Sequence, residues 1–319
     1  MHPAFETCRP ALAGRSVCVT GGAGFIGSHL VEALAGLGAR VAVLDDLSNG
    51  REANLSGAAA GARFERGSIL DAAALDRAVA GADTVFHLAA LGSVPRSIAE
   101  PALFQQVNVE GTLAVLEACR RHGVRRVVYA ASSSAYGNTA ALPKHESIRP
   151  DPRSPYAFTK LAGEHLMRSF ALSYGIETVS LRYFNIFGPR QRHDSPYAAV
   201  IPMFAEALRQ GTRPVVFGDG RQTRDFTFVA NAVHANLLAA ASPARLAGEV
   251  ANVACGTRYS LLELLDAMGR LLGARAQPEF RPARVGDVQD SEADIRYAEE
   301  LLGYRVIVPF TEGLRLTLA

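Results

Sequence analysis

The sequence predicts an α/β fold in which a doubly wound parallel sheet is joined by a smaller mixed α/β lobe. Through the first half of the chain, short apolar runs alternate with longer helical patterns. The apolar runs are nearly continuous, as expected for strands that are buried on both faces of a parallel sheet. After Phe187, glycine and proline become frequent, which indicates a change of architecture.

The predicted strands and helices follow one another in a regular order. We expect strands at residues 16–20, 41–45, 84–88 and 127–130, and helices near 25–37, 72–80 and 102–121. A long helix at about 154–174 and a strand at 178–182 follow. Beyond these we expect short helices and isolated strands at 215–217, 226–229 and 250–253. The predicted sheet domain is residues 1–186, with about 226–256 returning to it, and the smaller lobe is mainly residues 187–319.

Composition excludes several classes of protein. No segment approaches the roughly 18 unbroken apolar residues of a membrane span, and the first sixteen residues do not resemble a secretory signal. The formal charge is only +2, without a basic stripe, which argues against a nucleic-acid partner. The four cysteines lack CxxC spacing and indicate free thiols in a reducing cytoplasm, and no metal-ligand cluster is expected.

A glycine-rich segment directly follows the first predicted strand and opens the first helix. Gly21, Gly24 and Gly27 have the GxxGxxG spacing that permits a tight turn and close backbone approach to a pyrophosphate at a helix N-terminus. The second strand ends at Asp45, about twenty residues on, where a carboxylate accepts the ribose hydroxyls of a dinucleotide. Because that carboxylate repels a 2′-phosphate, we expect NAD rather than NADP on a Rossmann-type sheet.

A tyrosine and a lysine lie near the start of the long predicted helix. Ser154 is a typical N-cap and Pro155 a typical first helical residue, so Tyr156 and Lys160 share one helix face. A tyrosine of pKa about 10 needs its pKa lowered by about 3 units to act as a base at neutral pH. An ammonium group about 4 Å away, at an effective dielectric of about 20, supplies about 4 kcal/mol towards this. The pair therefore predicts removal of a hydroxyl proton as hydride leaves a secondary alcohol.

Together these motifs resemble the extended short-chain dehydrogenase/reductase superfamily, in particular its NAD-dependent nucleotide-sugar epimerases, over residues 15–304. The resemblance implies that Tyr156 and Lys160 are catalytic and also contact NAD. It extends the cofactor site to Phe25, Ile26, Ser48, Asn49, Gly50, Ser68, Ile69, Leu88, Ala89, Ala90 and Tyr183. Ser68 is a departure, since the family commonly has an aspartate there that contacts the adenine amine.

A run of three serines distinguishes between the reactions of this family. In similar proteins a serine or threonine four residues before a Tyr-Gly hydrogen-bonds the sugar O4, which places Ser132 in that role beside Ser133 and Ser134. Dehydrating relatives carry an Asp-Glu pair here, because elimination needs an additional acid and base, and decarboxylating relatives have a glutamate. The serines favour epimerisation, and we group Ser132 and Ser133 with the catalytic pair, and Ser134 with the substrate site.

Further segments resemble the family's sugar-nucleotide site. The resemblance implies that Asn185, Arg224 and Arg284 contact the diphosphate and that Asp287 binds the uridine ribose. Two phosphate charges in a partly closed cleft suit arginine side chains, which bind oxyanions through two parallel N–H groups. Ser93, Ala199, Val200 and Ser291 complete the expected substrate site.

The sugar is predicted from the size of the pocket wall. In similar epimerases a small residue four positions after the aspartate admits an N-acetyl group at C2, and that position is Ser291 here, with Ala199 as another small wall residue. Segments 91–97 and 197–202 resemble the branch that acts on UDP-N-acetylglucosamine. We therefore expect interconversion of UDP-GlcNAc and UDP-GalNAc, with UDP-glucose/UDP-galactose or UDP-glucuronate as alternatives.

Two other classes of protein compete with this interpretation. A non-catalytic regulator that senses a dinucleotide on the same fold would tolerate loss of Tyr156 and Lys160, yet this chain keeps both together with Ser132. A nucleotide-sugar dehydratase or a reductase with net consumption of NADH is the other alternative. Family members commonly dimerise through two helices that correspond here to about residues 102–121 and 154–174, so we expect a homodimer.

Overall fold

A seven-stranded parallel sheet forms the centre of the protein. The computed structural model describes residues 1–192, 199–283 and 288–319. The strands are β1 (Ser16–Thr20), β2 (Arg40–Asp45), β3 (Arg63–Arg66), β4 (Thr84–His87), β5 (Arg126–Ser132), β6 (Glu177–Tyr183), β7 (Ile186–Phe187), β8 (Val215–Phe217), β9 (Thr223–Arg224), β10 (Thr227–Phe228), β11 (Ala247–Val253), β12 (Tyr259–Ser260) and β13 (Glu279–Arg281). The α-helices are α1 (Arg9–Leu12), α2 (Phe25–Gly36), α3 (Ala72–Val79), α4 (Val94–Ala99), α5 (Pro101–Gln105), α6 (Gly111–Arg121), α7 (Pro155–Tyr174), α8 (Val200–Arg209), α9 (Val229–Ala241), α10 (Leu261–Leu272), α11 (Arg296–Leu302) and α12 (Phe310–Leu318).

The strand order creates a crevice at the carboxyl edge of the sheet. The order is β3-β2-β1-β4-β5-β6-β11, and each neighbouring pair is parallel. The direction of winding reverses between β1 and β4, so the loops that follow these two strands diverge and leave a crevice at the carboxyl edge. The glycine-rich segment after β1 and the loop after β4 both open onto it.

Helices cover both faces of this sheet because alternate residues of a strand point to opposite faces. Val17 and Val19 of β1 pack in a core that includes Leu30 of α2 and residues of α9. Cys18, between them, packs in a second core with Leu116 of α6 and residues of α3 and α7. The predicted doubly wound parallel sheet is therefore confirmed.

A buried ion pair holds α7 against the sheet. Arg182 of β6 donates to both carboxylate oxygens of Glu164 of α7, at 2.8 and 2.7 Å, and both side chains are almost completely buried. The same guanidinium lies 4.4 Å from the ring centre of Tyr136. Removing one partner of a buried pair costs about 3–5 kcal/mol, since the other charge is left in the interior. The pair therefore fixes the helix that bears Tyr156.

Three expectations about the elements were wrong. The helix expected at 102–121 is interrupted by a π-helical turn at Gln106–Glu110, between α5 and α6. The strand expected to be isolated at 250–253 is the end of β11, which forms an edge of the central sheet beside β6. The later helices are not all short, because α9 and α10 have 13 and 12 residues. The pairing of β11 with β6 leaves no local signal in the sequence, because its parallel partner lies far away along the chain.

Short strand pairs bring the last third of the chain to the sheet's carboxyl edge. β10 pairs with β7, β12 with β9, and β13 with β8. Single bridges join Lys144 to Ala293 and Thr223 to Asp290. The division into residues 1–186 and 187–319 stays a prediction. In the described parts of the chain, no helix has the length and apolar character needed to span a bilayer.

Candidate active site

One cleft at the carboxyl edge of the sheet, with a volume of about 1150 Å³, is lined by most of the residues that the sequence singled out. From the predicted cofactor site it contains Gly21, Gly24, Phe25, Ile26, Gly27, Asp45, Ser48, Asn49, Gly50, Ser68, Ile69, Leu88, Ala89, Ala90 and Tyr183, together with Tyr156 and Lys160. From the predicted serine and substrate sites it contains Ser93, Ser132, Ser133, Ser134, Asn185, Ala199, Arg224 and Ser291.

Among the described residues, one predicted substrate residue, Val200, is not part of the lining. Val200 begins α8, packs partly buried against the apolar core and does not line the cleft, as expected for the apolar face of an amphipathic helix. Its assignment to the substrate site stays a prediction. Arg284 and Asp287 lie outside the described residues.

The glycine loop leaves no room for side chains. At Gly21, which has a φ of 72°, a Cβ atom would lie 2.7 Å from the backbone nitrogen of Ala89, and at Gly27 it would lie 2.1 Å from the carbonyl oxygen of Gly21. The N-cap of α2 is Gly24, which has no side chain to occupy the first amides of the helix. These amides therefore remain available to an anion, and the cradle fits the pyrophosphate of a dinucleotide.

Asp45 ties the glycine loop to β2. Its Oδ2 accepts a hydrogen bond of 2.9 Å from the backbone N–H of Ala23, and its Oδ1 accepts one of 2.8 Å from that of Leu47. Burial raises the pKa of this carboxyl, and the backbone amides oppose the rise. Sequence reasoning assigned Asp45 to the ribose alone, whereas the structure shows that it also holds the loop in place.

The hydroxyl of Tyr156 lies near the turn formed by Ser132, Ser133 and Ser134, which we call the serine turn. Tyr156 lies in the first turn of α7, with its hydroxyl close enough to Ser132, at the end of β5, for that side chain to lower the pKa of the phenol. The Oγ of Ser132 also accepts from the backbone N–H of Ser134 at 3.2 Å and from the Ser134 hydroxyl at 2.9 Å. Two hydroxyl groups from different elements therefore converge on one point of the cleft, where a third hydroxyl can bind to both.

Lys160 lies one helical turn further along α7 and is almost completely buried. Its Nζ donates a 2.9 Å hydrogen bond to the carbonyl of Ala130 and lies 5.0 Å from the ring centre of Tyr129. Burial lowers the pKa of Lys160 to about 8. Burial also raises the pKa of Tyr156, against the opposing effect of the nearby Ser132 side chain. In the protein alone, burial therefore outweighs the effects that lower the pKa of Tyr156.

Asn108 joins the loop after β4 to the start of α7, and the sequence analysis did not predict this role. Its Oδ1 accepts from the backbone N–H of Leu91 at 2.8 Å, and its Nδ2 donates to the carbonyl of Leu91 and to the hydroxyl of Thr159, each at 3.0 Å. Thr159 precedes Lys160 in α7. Asn108 reaches both partners because it lies in the π-helical turn, a feature that is frequent at functional sites but has no clear sequence signal.

His87 is a structural link beneath the cofactor loops. Its Nδ1 lies 2.8 Å from the hydroxyl of Thr20 and its Nε2 lies 3.0 Å from that of Thr112. Burial lowers the pKa of His87 to about 3, so the ring is neutral at physiological pH. It joins β4 to β1 and α6 and does not line the cleft.

The substrate side of the cleft is built from side chains of distant segments. Asn185 has a φ of 38°, an uncommon conformation that asparagine tolerates better than most residues, and its amide donates to the carbonyl of Asp225 at 3.1 Å. Arg224 of β9 donates to the carbonyls of Thr223 and Gln289, at 2.8 and 3.2 Å. The backbone N–H of Ser291 donates to the carbonyl of Thr223 at 3.1 Å, which holds Ser291 beside the strand that bears Arg224.

A second lysine, Lys144, was also missed as a site residue. Lysine occurs at only two positions in the chain, and the other is Lys160. Lys144 lines the cleft, is 1% exposed, and donates to the carbonyl of Gly137 at 3.2 Å. The rarity of lysine was the signal in the sequence that could have identified it. Within the described ranges, no group of three or more His, Cys, Asp or Glu side chains is arranged to hold a metal ion.

Comparisons with known proteins place the chain in a family. Residues 17–254 match the model of the NAD dependent epimerase/dehydratase family, and the chain belongs to that family. A UDP-glucose 4-epimerase of Mycolicibacterium smegmatis is 41% identical over 303 residues, which are 94% of this chain and 96% of the relative. NAD is the cofactor, as predicted: the glycine cradle and Asp45 fit it, and solved relatives hold it.

Two solved structures resemble the fold closely. A UDP-N-acetylglucosamine 4-epimerase from Methanobrevibacter ruminantium, in complex with UDP-N-acetylmuramic acid, superposes with a TM-score of 0.91 at 39% identity and covers 96% of this chain and 97% of its own. A UDP-glucose 4-epimerase from Thermus thermophilus, in complex with NAD, has a TM-score of 0.87 at 36% identity and covers 95% and 97%. The predicted resemblance to extended short-chain dehydrogenase/reductase epimerases is therefore confirmed.

Proposed function

We propose that the protein is an NAD-dependent UDP-hexose 4-epimerase that interconverts UDP-GlcNAc and UDP-GalNAc through a 4-keto intermediate. The observation on which this depends is the meeting of Tyr156 and Ser132 in the same cleft as the glycine loop, with Lys160 buried behind them. Relatives named as UDP-hexose 4-epimerases, similar to this chain over nearly its whole length, support the reaction.

In the proposed reaction, Ser132 and Tyr156 hold the sugar O4 between their hydroxyl groups. Tyr156, as phenolate, takes the proton of the O4 hydroxyl while the hydrogen on C4 leaves as hydride, and a C4 ketone forms. The glycine loop and Asp45 would hold NAD, which would supply the acceptor and later the donor of that hydride. The phenol then gives its proton back to O4 after the ketone has presented its opposite face, so the C4 configuration is inverted without net oxidation.

Lys160 supports this proton transfer through charge and position. Its ammonium hydrogen-bonds the Ala130 carbonyl, just before the serine turn, and a pKa of about 8 keeps it mostly protonated at neutral pH. A positive charge beside a developing phenolate stabilises it, and bound oxidised NAD would add a second positive charge that lowers the Tyr156 pKa.

The serine turn also argues against the dehydratase alternative. Ser133 and Ser134 line the cleft where elimination would need an acid and a base. A hydroxyl group donates a hydrogen bond but does not titrate near neutral pH, so these residues do not perform that role. Redox chemistry at C4 remains as the reaction that this set of groups supports.

The choice of N-acetylated sugar rests on the pocket wall. Ser291 lines the cleft and is almost completely buried, and Ala199 lines it as well. Small residues leave space for an N-acetyl group at C2, and one solved relative of high similarity is a UDP-N-acetylglucosamine 4-epimerase. A UDP-glucose 4-epimerase is the second candidate, favoured by the relative from Mycolicibacterium smegmatis. UDP-glucuronate is the third candidate substrate.

The test is a set of parallel incubations of the purified protein with UDP-GlcNAc, UDP-glucose and UDP-glucuronate. The C4 epimers are resolved chromatographically, and the absorbance of NADH is followed. We expect the highest kcat/KM with UDP-GlcNAc and no net change in NADH, since the cofactor is regenerated in each cycle. Higher kcat/KM with UDP-glucose would overturn the sugar assignment, and net consumption of NADH would overturn epimerisation.

We further propose that the protein is a cytoplasmic homodimer. Exposed apolar side chains lie on the two helices that family members commonly use to dimerise, namely Leu113 of α6 and Phe158, Leu172 and Tyr174 of α7. All four cysteines are unpaired, which suits a reducing compartment. Light scattering should give twice the chain mass of 33.9 kDa, and a mass of one chain at micromolar concentration would refute the dimer.

A further inference from the structure

Lys144 is a buried cation that lines the cleft, and no carboxylate in the described parts of the chain forms an ion pair with it. Its side chain is 1% exposed, and among the described residues its ammonium makes one hydrogen bond, to the neutral carbonyl of Gly137 at 3.2 Å. No carboxylate in the described part of the chain lies within 4.0 Å of it. The nearby Asp290 already accepts from the hydroxyl of Thr223 at 2.6 Å. A buried charge of this kind is costly unless an opposite charge compensates it.

The surroundings of Lys144 add positive charge. Burial lowers its pKa, and the charge of Arg224 lowers it further, against a smaller opposing effect of Asp290. Arg224 lines the same cleft. Two cations that repel each other across a pocket are stabilised when an anion binds between them, whereas a neutral ligand leaves the repulsion unchanged.

The position of Lys144 in the fold brings it between the two ends of the substrate site. Its backbone N–H donates to the carbonyl of Glu292 at 2.7 Å, next to Ser291, and its side chain reaches Gly137 at the end of the serine turn. Lysine presents a compact ammonium with three donors, which fits such a corner better than the larger guanidinium that the chain uses at 31 other positions.

We propose that Lys144 binds the diphosphate of the sugar nucleotide together with Arg224, on the side of the cleft nearer the sugar. This assignment rests on the proposed UDP-sugar substrate. In this assignment Lys144 binds the phosphate oxygens. The bound diphosphate then supplies a counter-charge for the buried ammonium. The lysine would thereby help to anchor the diphosphate while the keto sugar turns.

The test measures the affinity of the full-length protein, with its NAD, for UDP and for UDP-GlcNAc by titration calorimetry. Lys144→Met removes the charge and retains a flexible apolar side chain. We expect both affinities to fall by a similar factor of about 10 to 100, as for a lost charge-assisted hydrogen bond, with an unchanged NAD content. Unchanged UDP affinity would overturn the proposal, even if the affinity for UDP-GlcNAc fell, because Lys144 would then contact the sugar.

Two further variants separate charge from structure. Lys144→Gln keeps a donor for the Gly137 carbonyl without the charge, so UDP binding should stay weak, and restored affinity would overturn the proposal in favour of a structural role. Arg258→Met is the matched control, because Arg258 is a cation beside Glu292, at 3.3 Å, that does not line the cleft. It should bind UDP normally, and an equal loss would mean that general charge, not Lys144, determines affinity. If the native protein binds no UDP, the proposed function itself fails.

Discussion

The two sides of the cleft are built by different means. On the cofactor side, backbone defines the shape: Gly21 and Gly27 have no space for a Cβ atom, and Asp45 is used to hold backbone amides. On the substrate side, side chains from separate segments define it, with Arg224 on a two-residue strand and Ser291 beside it. The cofactor side therefore tolerates little change, whereas the substrate side can alter its ligand through single side chains.

Tyr156 lies where the two sides meet, and its loss should have the largest effect. Tyr156→Phe retains the ring but removes the proton acceptor, so kcat should fall by about 10² to 10⁴. The amount of NAD bound per chain, measured after denaturation, should stay the same because the glycine loop is untouched. The matched control is Tyr297→Phe, the same substitution at an exposed tyrosine of α11 that does not line the cleft, and it should retain the native kcat. Near-normal turnover by Tyr156→Phe would remove it as the base.

Gly27→Ala tests the claim that backbone shapes the cofactor side. The added Cβ would lie 2.1 Å from the carbonyl oxygen of Gly21, so the loop has to move away from the helix. Overpacking of this kind costs about 1–3 kcal/mol, and we expect NAD affinity to fall by about 10- to 100-fold. The matched control is Gly123→Ala, since nothing lies within 4 Å of a Cβ there, although its φ of 66° costs some stability. Normal NAD affinity in Gly27→Ala would contradict this account of the loop.

Ser291→Tyr tests the opposite claim about the substrate side. A bulky ring in this buried wall should reduce kcat/KM for UDP-GlcNAc about tenfold more than for UDP-glucose, because only the N-acetyl group needs the space. Ser291→Ala, which keeps the wall small, should preserve the native ratio. Equal losses for both sugars in the tyrosine variant would show that Ser291 does not select the substituent at C2.

Substitution of His87 tests the packing beneath the cofactor loops, and its expected effect, on the free energy of unfolding, is the smallest of the four. Its pKa in the folded protein is about 3, below the ordinary value of 6.5, so below pH 6.5 the unfolded chain takes up a proton that the folded protein does not. Stability is therefore lost as the pH falls from 6.5 towards 3, by about 1.4 kcal/mol at pH 5.5. His87→Gln lacks this titration.

The measurement compares urea unfolding of the native protein and of His87→Gln at pH 7.5 and 5.5. The native protein should lose about 1.4 kcal/mol more than the variant between these values. Asp225, whose pKa is raised by burial to about 7, contributes with the opposite sign, but it is present in both proteins and cancels. Parallel changes in the two proteins would show that His87 is not a buried neutral ring.

How far the site can be predicted depends on the distance along the chain between its parts. Tyr156 and Lys160 are one helical turn apart and the three loop glycines lie within seven residues, so their geometry follows from local structure. Asn108 depends on a π-helical turn and on partners 17 and 51 residues away. The packing of Val200 against the core could not be predicted, because a resemblance in sequence does not specify which face of α8 turns inwards.

The sequence by itself determined the doubly wound sheet, the dinucleotide loop and the placement of Tyr156 and Lys160 on one helix face, because hydrophobic period, glycine spacing and helix capping act over a few residues. Only the tertiary structure decided that β11 pairs with β6 at the edge of the sheet, that Asp45 holds the glycine loop, and that Lys144 lines the same cleft as Arg224. These features depend on long-range packing and on the exclusion of water, which set the environment and the pKa of a group such as Lys160.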